Sequence, residues 1–212
     1  MTRTLFGMVL VLAHAATTLA GVAALDARAP AAESTVTVEL ALSVESDLSP
    51  RAVELMRAEI DRIWQPYGVV IGWDAAGPGG APERLRLTIA DSELDRPQQS
   101  AAHAALAWIW FDTPARPGSE IRVSLDAARR LVSGVRVGGR SIAAWPALGE
   151  TLLGRALGRS VAHEVGHYLL ASSQHTDDGL MRPIFVPDEL LTFRASDYAL
   201  APAHVRALAA AR

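Results

Sequence analysis

A chain of 212 residues, half of them apolar, can bury the core of one full domain and leaves little length for a second. Its formal net charge is −3, with 20 basic and 23 acidic residues interspersed, which excludes a nucleic-acid footprint and a polyanionic tail. Every basic residue is an arginine and there is no cysteine, so neither a disulfide framework nor a thiolate that caps a metal is available.

The first residues carry one positive charge at Arg3, an apolar run from Leu5 to Ala13, and small residues through Ala24. Residues 1–24 therefore read as a secretory signal peptide, with cleavage between 20 and 32, and residues 33–212 as a single domain that is secreted or periplasmic. His14, Thr17 and Thr18 interrupt the run, which falls short of the roughly 20 apolar residues of a membrane span. No span is expected after cleavage.

Residues 35–44 alternate strictly, with Val36, Val38, Leu40, Leu42 and Val44 on one side, and predict a strand with one wet face. Ser49 and Pro50 offer an N-cap and a first helical position. Val53, Met56, Ile60 and Ile63 then recur at helical spacing until Gln65 and Pro66, and Gly68 ends the helix. Residues 69–73 read as a second strand, 74–83 as a Gly/Pro/Ala-rich loop, and Leu85, Leu87 and Ile89 as the apolar side of a third. A polar loop through Pro97 leads to a fourth strand over 105–111, and Ile121, Val123 and Leu125 make a fifth. Asp126 is placed to cap a short helix reaching Val132, and the glycine-rich residues 133–139 read as a surface loop. The longest helix spans 146–170, with Gly154, Gly158 and Gly166 inside it, each costing about 1 kcal/mol relative to alanine unless close packing explains it. Short helices are expected over 188–193 and 202–211, and the five tryptophans are expected mostly in the core, with Trp108 or Trp110 able to face a cleft. Alternating strands imply a sheet covered on one face, and the two long helices are its natural cover.

The long helix ends in HEVGHYLLASSQHTDDGLM, residues 163–181, which holds three of the six histidines. His163 and His167 are four apart and share one helix face, so both imidazoles can meet one metal ion. Glu164 lies beside the open side of such a site, placed as a general base, in the H-E-x-x-H pattern of zinc peptidases. A catalytic zinc takes three protein ligands, and His175 is the nearest candidate once the helix stops near Leu170. Glu189 is an alternative third ligand. Asp177 and Asp178 are candidates to orient a ligating histidine.

With Met181 following in a Gly-Leu-Met turn, the stretch resembles the metzincin clan of metallopeptidases, which carry H-E-x-x-H-x-x-G-x-x-H and then a Met-turn. Here the third histidine lies two residues further on, and Leu170 stands where that pattern has glycine. The variant is similar to that of small secreted bacterial metzincin-like proteins, although Ala171 replaces even their glycine. The resemblance implies an α+β, zincin-like fold: a five-stranded mixed twisted sheet covered on one face by two long helices, the second of them the active-site helix, followed by a Met-turn and C-terminal helices. It also implies Zn2+ held by His163, His167 and His175, Glu164 as general base, Met181 in the Met-turn, and a fourth strand that pairs as an antiparallel edge with extended substrate. The expected activity is that of a monomeric zinc metalloendopeptidase acting on a peptide or protein. The rival expectation is a secreted zinc-binding or adhesion module without turnover.

Overall fold

The computed structural model of the protein describes residues 35–73, 84–91, 106–183, 187–192, 194 and 196–210. The signal-peptide reading, the loop over 74–83 and the loop through Pro97 lie outside them. The fold is α+β, built on a five-stranded mixed sheet. Its strands are β1 (Val36–Val44), β2 (Val69–Trp73), β3 (Leu85–Ala90), β4 (Ala107–Thr113) and β5 (Arg116–Ser124), arranged β2-β1-β3-β5-β4. All neighbours are parallel except β4, which runs antiparallel to β5 along one edge.

The alternation read from the sequence becomes burial. Val38, Leu40, Leu85, Leu87, Ile89, Ile121 and Val123 all lie in one core. That core also takes Met56, Ile60 and Ile63 from α1 (Pro50–Trp64), and Leu157, Val161 and Val165 from α3 (Pro146–Leu170). Ser49 caps α1 as expected, its hydroxyl accepting from the Ala52 amide at 3.1 Å. The same hydroxyl donates to Glu150 on α3 at 2.6 Å. Gly68, in the left-handed region at φ 64°, turns the chain from a short 3-10 turn into β2.

Two of the α3 glycines are explained by the crossing with α1. A Cβ on Gly158 would lie 2.8 Å from the Met56 carbonyl oxygen and 2.7 Å from the Glu59 Cβ, and one on Gly154 would lie 2.5 Å from the Leu55 Cβ. The close approach brings Arg159 against Glu59 at 2.7 Å with the guanidinium almost fully buried. Arg159 also donates to the carbonyls of Glu189 and Leu190 and stacks over Tyr198, so one side chain ties α1, α3 and α4 (Pro187–Leu191) together.

Several expectations are corrected. Leu125 does not extend β5 but opens α2 (Leu125–Ser133), and the cap is Ser124, whose hydroxyl accepts from the Ala127 amide, not Asp126. The glycine-rich stretch includes a small hairpin of β6 (Arg136–Val137) and β7 (Arg140–Ser141). The fourth strand begins and ends two residues later than expected. Trp64 and Trp108 are buried, whereas Trp110 and Trp145 are 41% and 44% exposed and belong to no core. Helix α5 (Pro202–Ala210) matches its expected start. Among the described residues no helix is long and apolar enough to cross a membrane.

Candidate metal centre

The last two turns of α3 put His163 and His167 on one face, and the helix stops where the sequence predicts, at Leu170. The stop is made by Ala171, which lies in the left-handed region at φ 46° and ψ 43°, the one described non-glycine residue with a positive φ. Its amide bonds to the Tyr168 carbonyl and the Ser172 amide to the His167 carbonyl, each at 3.2 Å, which satisfies carbonyls the helix end leaves open. Left-handed geometry costs an L residue with a Cβ roughly 1 to 2 kcal/mol. Here it reverses the chain and returns His175 to the helix.

The three histidines meet. One ring nitrogen from each of His163, His167 and His175 lies within 4.8 Å of the others, so the three could hold a metal ion. The His175 ring is stacked near-parallel on that of His163, with centroids 5.3 Å apart, and stands edge-on to His167 at 4.9 Å. His163 and His167 are buried and His175 is exposed, leaving access from its side.

The hydrogen bonds behind the rings decide their protonation. His163 Nδ1 faces the Leu180 carbonyl and His167 Nδ1 the Ser172 carbonyl, each at 2.7 Å. A carbonyl only accepts, so in both rings Nδ1 carries the hydrogen and Nε2 carries the lone pair. Those two Nε2 atoms are 3.0 Å apart. Two lone pairs at that distance repel each other unless a cation lies between them, and two nitrogens bound tetrahedrally at about 2.0 to 2.1 Å would be about 3.3 Å apart. The donor set of neutral imidazoles thus fits a borderline transition metal.

Burial reinforces this. Desolvation, with help from His167, holds His163 down at about 3. Desolvation also lowers His167 to about 4, with His175 and His204 opposing its protonation and the Ser172 carbonyl partly offsetting them. His175 is lowered in the same direction by burial. All three are therefore neutral near pH 7, the form that ligates.

Glu164 is buried beside them, and its Oε2 accepts from the Ile109 amide of β4 at 3.0 Å. Burial pushes its carboxyl up to about 8 although the amide favours the ionised form. The ring of Phe111, two residues along β4, stands at 90° to His167 with centroids 5.9 Å apart. Below the helix, Met181 is fully enclosed, and a Cβ on Gly166 would overlap its Sδ, which is why glycine stands between the two helical histidines. The Met181 turn is closed by the Thr176 amide on the Met181 carbonyl and by the Leu180 amide on the Ala199 carbonyl. Gly179 turns there at φ 72° against the same Ala199 carbonyl.

Glu189, the alternative ligand, is outside the histidine group and pairs with Arg182 at 3.1 Å. It lines a polar cavity of about 590 Å³ together with Asp178, and none of the three histidines borders that cavity. Asp177 and Asp178 are exposed, and the groups that orient His163 and His167 are the two carbonyls instead.

No protein-family model matches the chain, and no curated protein matches it significantly.

Proposed function

We propose that the protein is a secreted zinc-dependent metallopeptidase of the metzincin-like type. The observation that carries the reading is the pair of Nε2 atoms, of His163 and His167, facing each other at 3.0 Å with His175 closing the group and Glu164 buried alongside. The element order, with two long helices, a five-stranded mixed sheet and an antiparallel edge strand that reaches Glu164, supports the finer zincin-like description. Bound there, zinc would supply Lewis acidity toward a carbonyl oxygen and acidify a water.

His163, His167 and His175 would hold the ion through three neutral nitrogens. Glu164 takes the proton from the attacking water and later passes it to the leaving amine. The Ile109 amide holds one carboxylate oxygen, leaving the other for that proton. The Glu164 carboxyl, pushed up to about 8 by burial, would be brought down toward 7, the range a general base needs, if a divalent cation were bound beside it. A metal-binding module without turnover would have no use for a buried carboxyl at this position, and burying one is costly.

The test combines metal analysis of the purified mature protein with digestion of a mixed peptide library. One equivalent of zinc and cleaved peptides are expected. Glu164→Gln should keep the metal and lose about 10² to 10⁴ in turnover, the usual worth of acid-base assistance. Zinc bound at one equivalent with no cleavage of any peptide would leave the non-catalytic module as the answer.

A further inference from the structure

We infer that the main-chain amide of Ile109 is reserved for Glu164, and that an extended ligand laid along β4 takes its register from the next outward amide, that of Phe111. The inference rests on the peptidase reading and adds where on the edge the ligand pairs.

The parity of β4 is fixed at its start. The Ser124 amide of β5 donates to the Leu106 carbonyl, so Leu106 faces the sheet, and alternation turns Ala107 and Ile109 away from it. The Ile109 N–H leaves the sheet and ends on Glu164 Oε2. Outward groups of an edge strand are the ones that pair with an added strand. Giving up this one would leave a buried carboxylate oxygen without its amide, a penalty of the order of the hydrogen bond a ligand would gain. Phe111 shares the side-chain face of Ile109, because its ring lies against His167, so by the two-residue period its N–H points outward as well. Between the two residues the pairing with β5 shifts, from Ile121 opposite Ile109 to Pro117 opposite Phe111. Pro117 has no N–H to offer in return. The ligand residue paired with Phe111 would then stand beside the metal, with the Phe111 ring as the wall its side chain meets.

Two probes on the zinc-loaded protein test this: acetohydroxamate, which reaches only the metal, and a blocked tripeptide hydroxamate, which adds an extended arm. Amide exchange should show Ile109 already slow in the free protein and unchanged by either probe, and Phe111 slowed by the tripeptide probe alone. Phe111→Pro removes the outward N–H without touching a β4–β5 hydrogen bond, and Phe111→Ala removes only the ring. The affinity gained from the arm should be about tenfold smaller in Phe111→Pro than in Phe111→Ala, the worth of one hydrogen bond. If the arm adds affinity but slows Ile109 and not Phe111, the register is overturned while peptide binding stands. An arm that adds nothing in the wild type overturns the peptide reading itself. The exchange measurement needs no variant, so it decides the matter even if Phe111→Pro does not fold.

Discussion

Ala171 carries the least comfortable backbone of the described residues, and it sits where the chain must reverse to deliver His175. Replacing it by glycine relieves the Cβ and should stabilise the protein by about 1 kcal/mol, part of the relief being lost to the greater freedom of glycine when unfolded. Urea unfolding at constant m-value measures it, and a destabilised Ala171→Gly would mean that the turn is not left-handed. At the third ligand, His175→Ala should lose zinc affinity by orders of magnitude, whereas Glu189→Ala, whose carboxylate is engaged by Arg182, should leave it within about tenfold. Competition with a zinc chelator separates the two. That His163, His167 and His175 could gather was legible because they lie close together in the chain and imidazoles announce their chemistry. The Leu180 and Ser172 carbonyls and the Ile109 amide were not, since main-chain groups carry no residue signature and Ile109 lies 55 residues from the carboxylate it holds.

At the scale of elements, the crossing of α1 and α3 is set by backbone that comes too close for a methyl group. Gly158→Ala would gain about 1 kcal/mol of helix propensity yet press on the Met56 carbonyl, which cannot move aside as a side chain can. A net loss of roughly 1 to 3 kcal/mol is expected, read by thermal unfolding. Gly166→Ala meets instead the flexible end of Met181, so its penalty should shrink when combined with Met181→Ala, and a double-mutant cycle gives the coupling. Strand and helix types were readable from period alone, and the misreading at Leu125 shows the limit. The period-two run of Ile121 and Val123 continues through it, but the Ser124 hydroxyl caps first and starts the helix two residues before the expected cap at Asp126. The sequence could not say that Trp110 faces solvent while Trp108 is buried, because the two are identical residues two apart and the period of a strand puts both on one face.

For the whole molecule, the buried pair Arg159 and Glu59 makes the fold sensitive at a single point. Arg159→Met leaves the Glu59 carboxylate with only the half-exposed Arg62 and releases the α4 carbonyls, for an expected loss of about 3 to 5 kcal/mol. The metal-free protein should also show a characteristic pH profile. His163 and His167, lowered from 6.5, withdraw stability as pH falls below 6.5, because the unfolded chain takes up protons that the fold refuses. Glu164, raised from 4.5 to about 8, withdraws stability as pH rises, because the fold keeps a proton that the unfolded chain releases. From these groups a maximum near pH 6.5 follows, with a shallow decline toward pH 8, below about 1 kcal/mol per unit because the unfolded histidines partly offset the carboxyl, that Glu164→Gln should abolish. Denaturant titrations of the chelated protein across that range test the slope.

The carbonyls of Ser172 and Leu180 point the two helical imidazoles at a third ring that arrives from beyond the turn. An ion held there is bonded to both ends of a loop closed between residues 167 and 175, as a cross-link would be, in a chain that has no cysteine to make one. The durability of the protein then answers to chelators and not to reductants. At a hundredfold excess of free zinc over its dissociation constant the fold gains about 2.7 kcal/mol, which EDTA would erase and dithiothreitol would leave untouched.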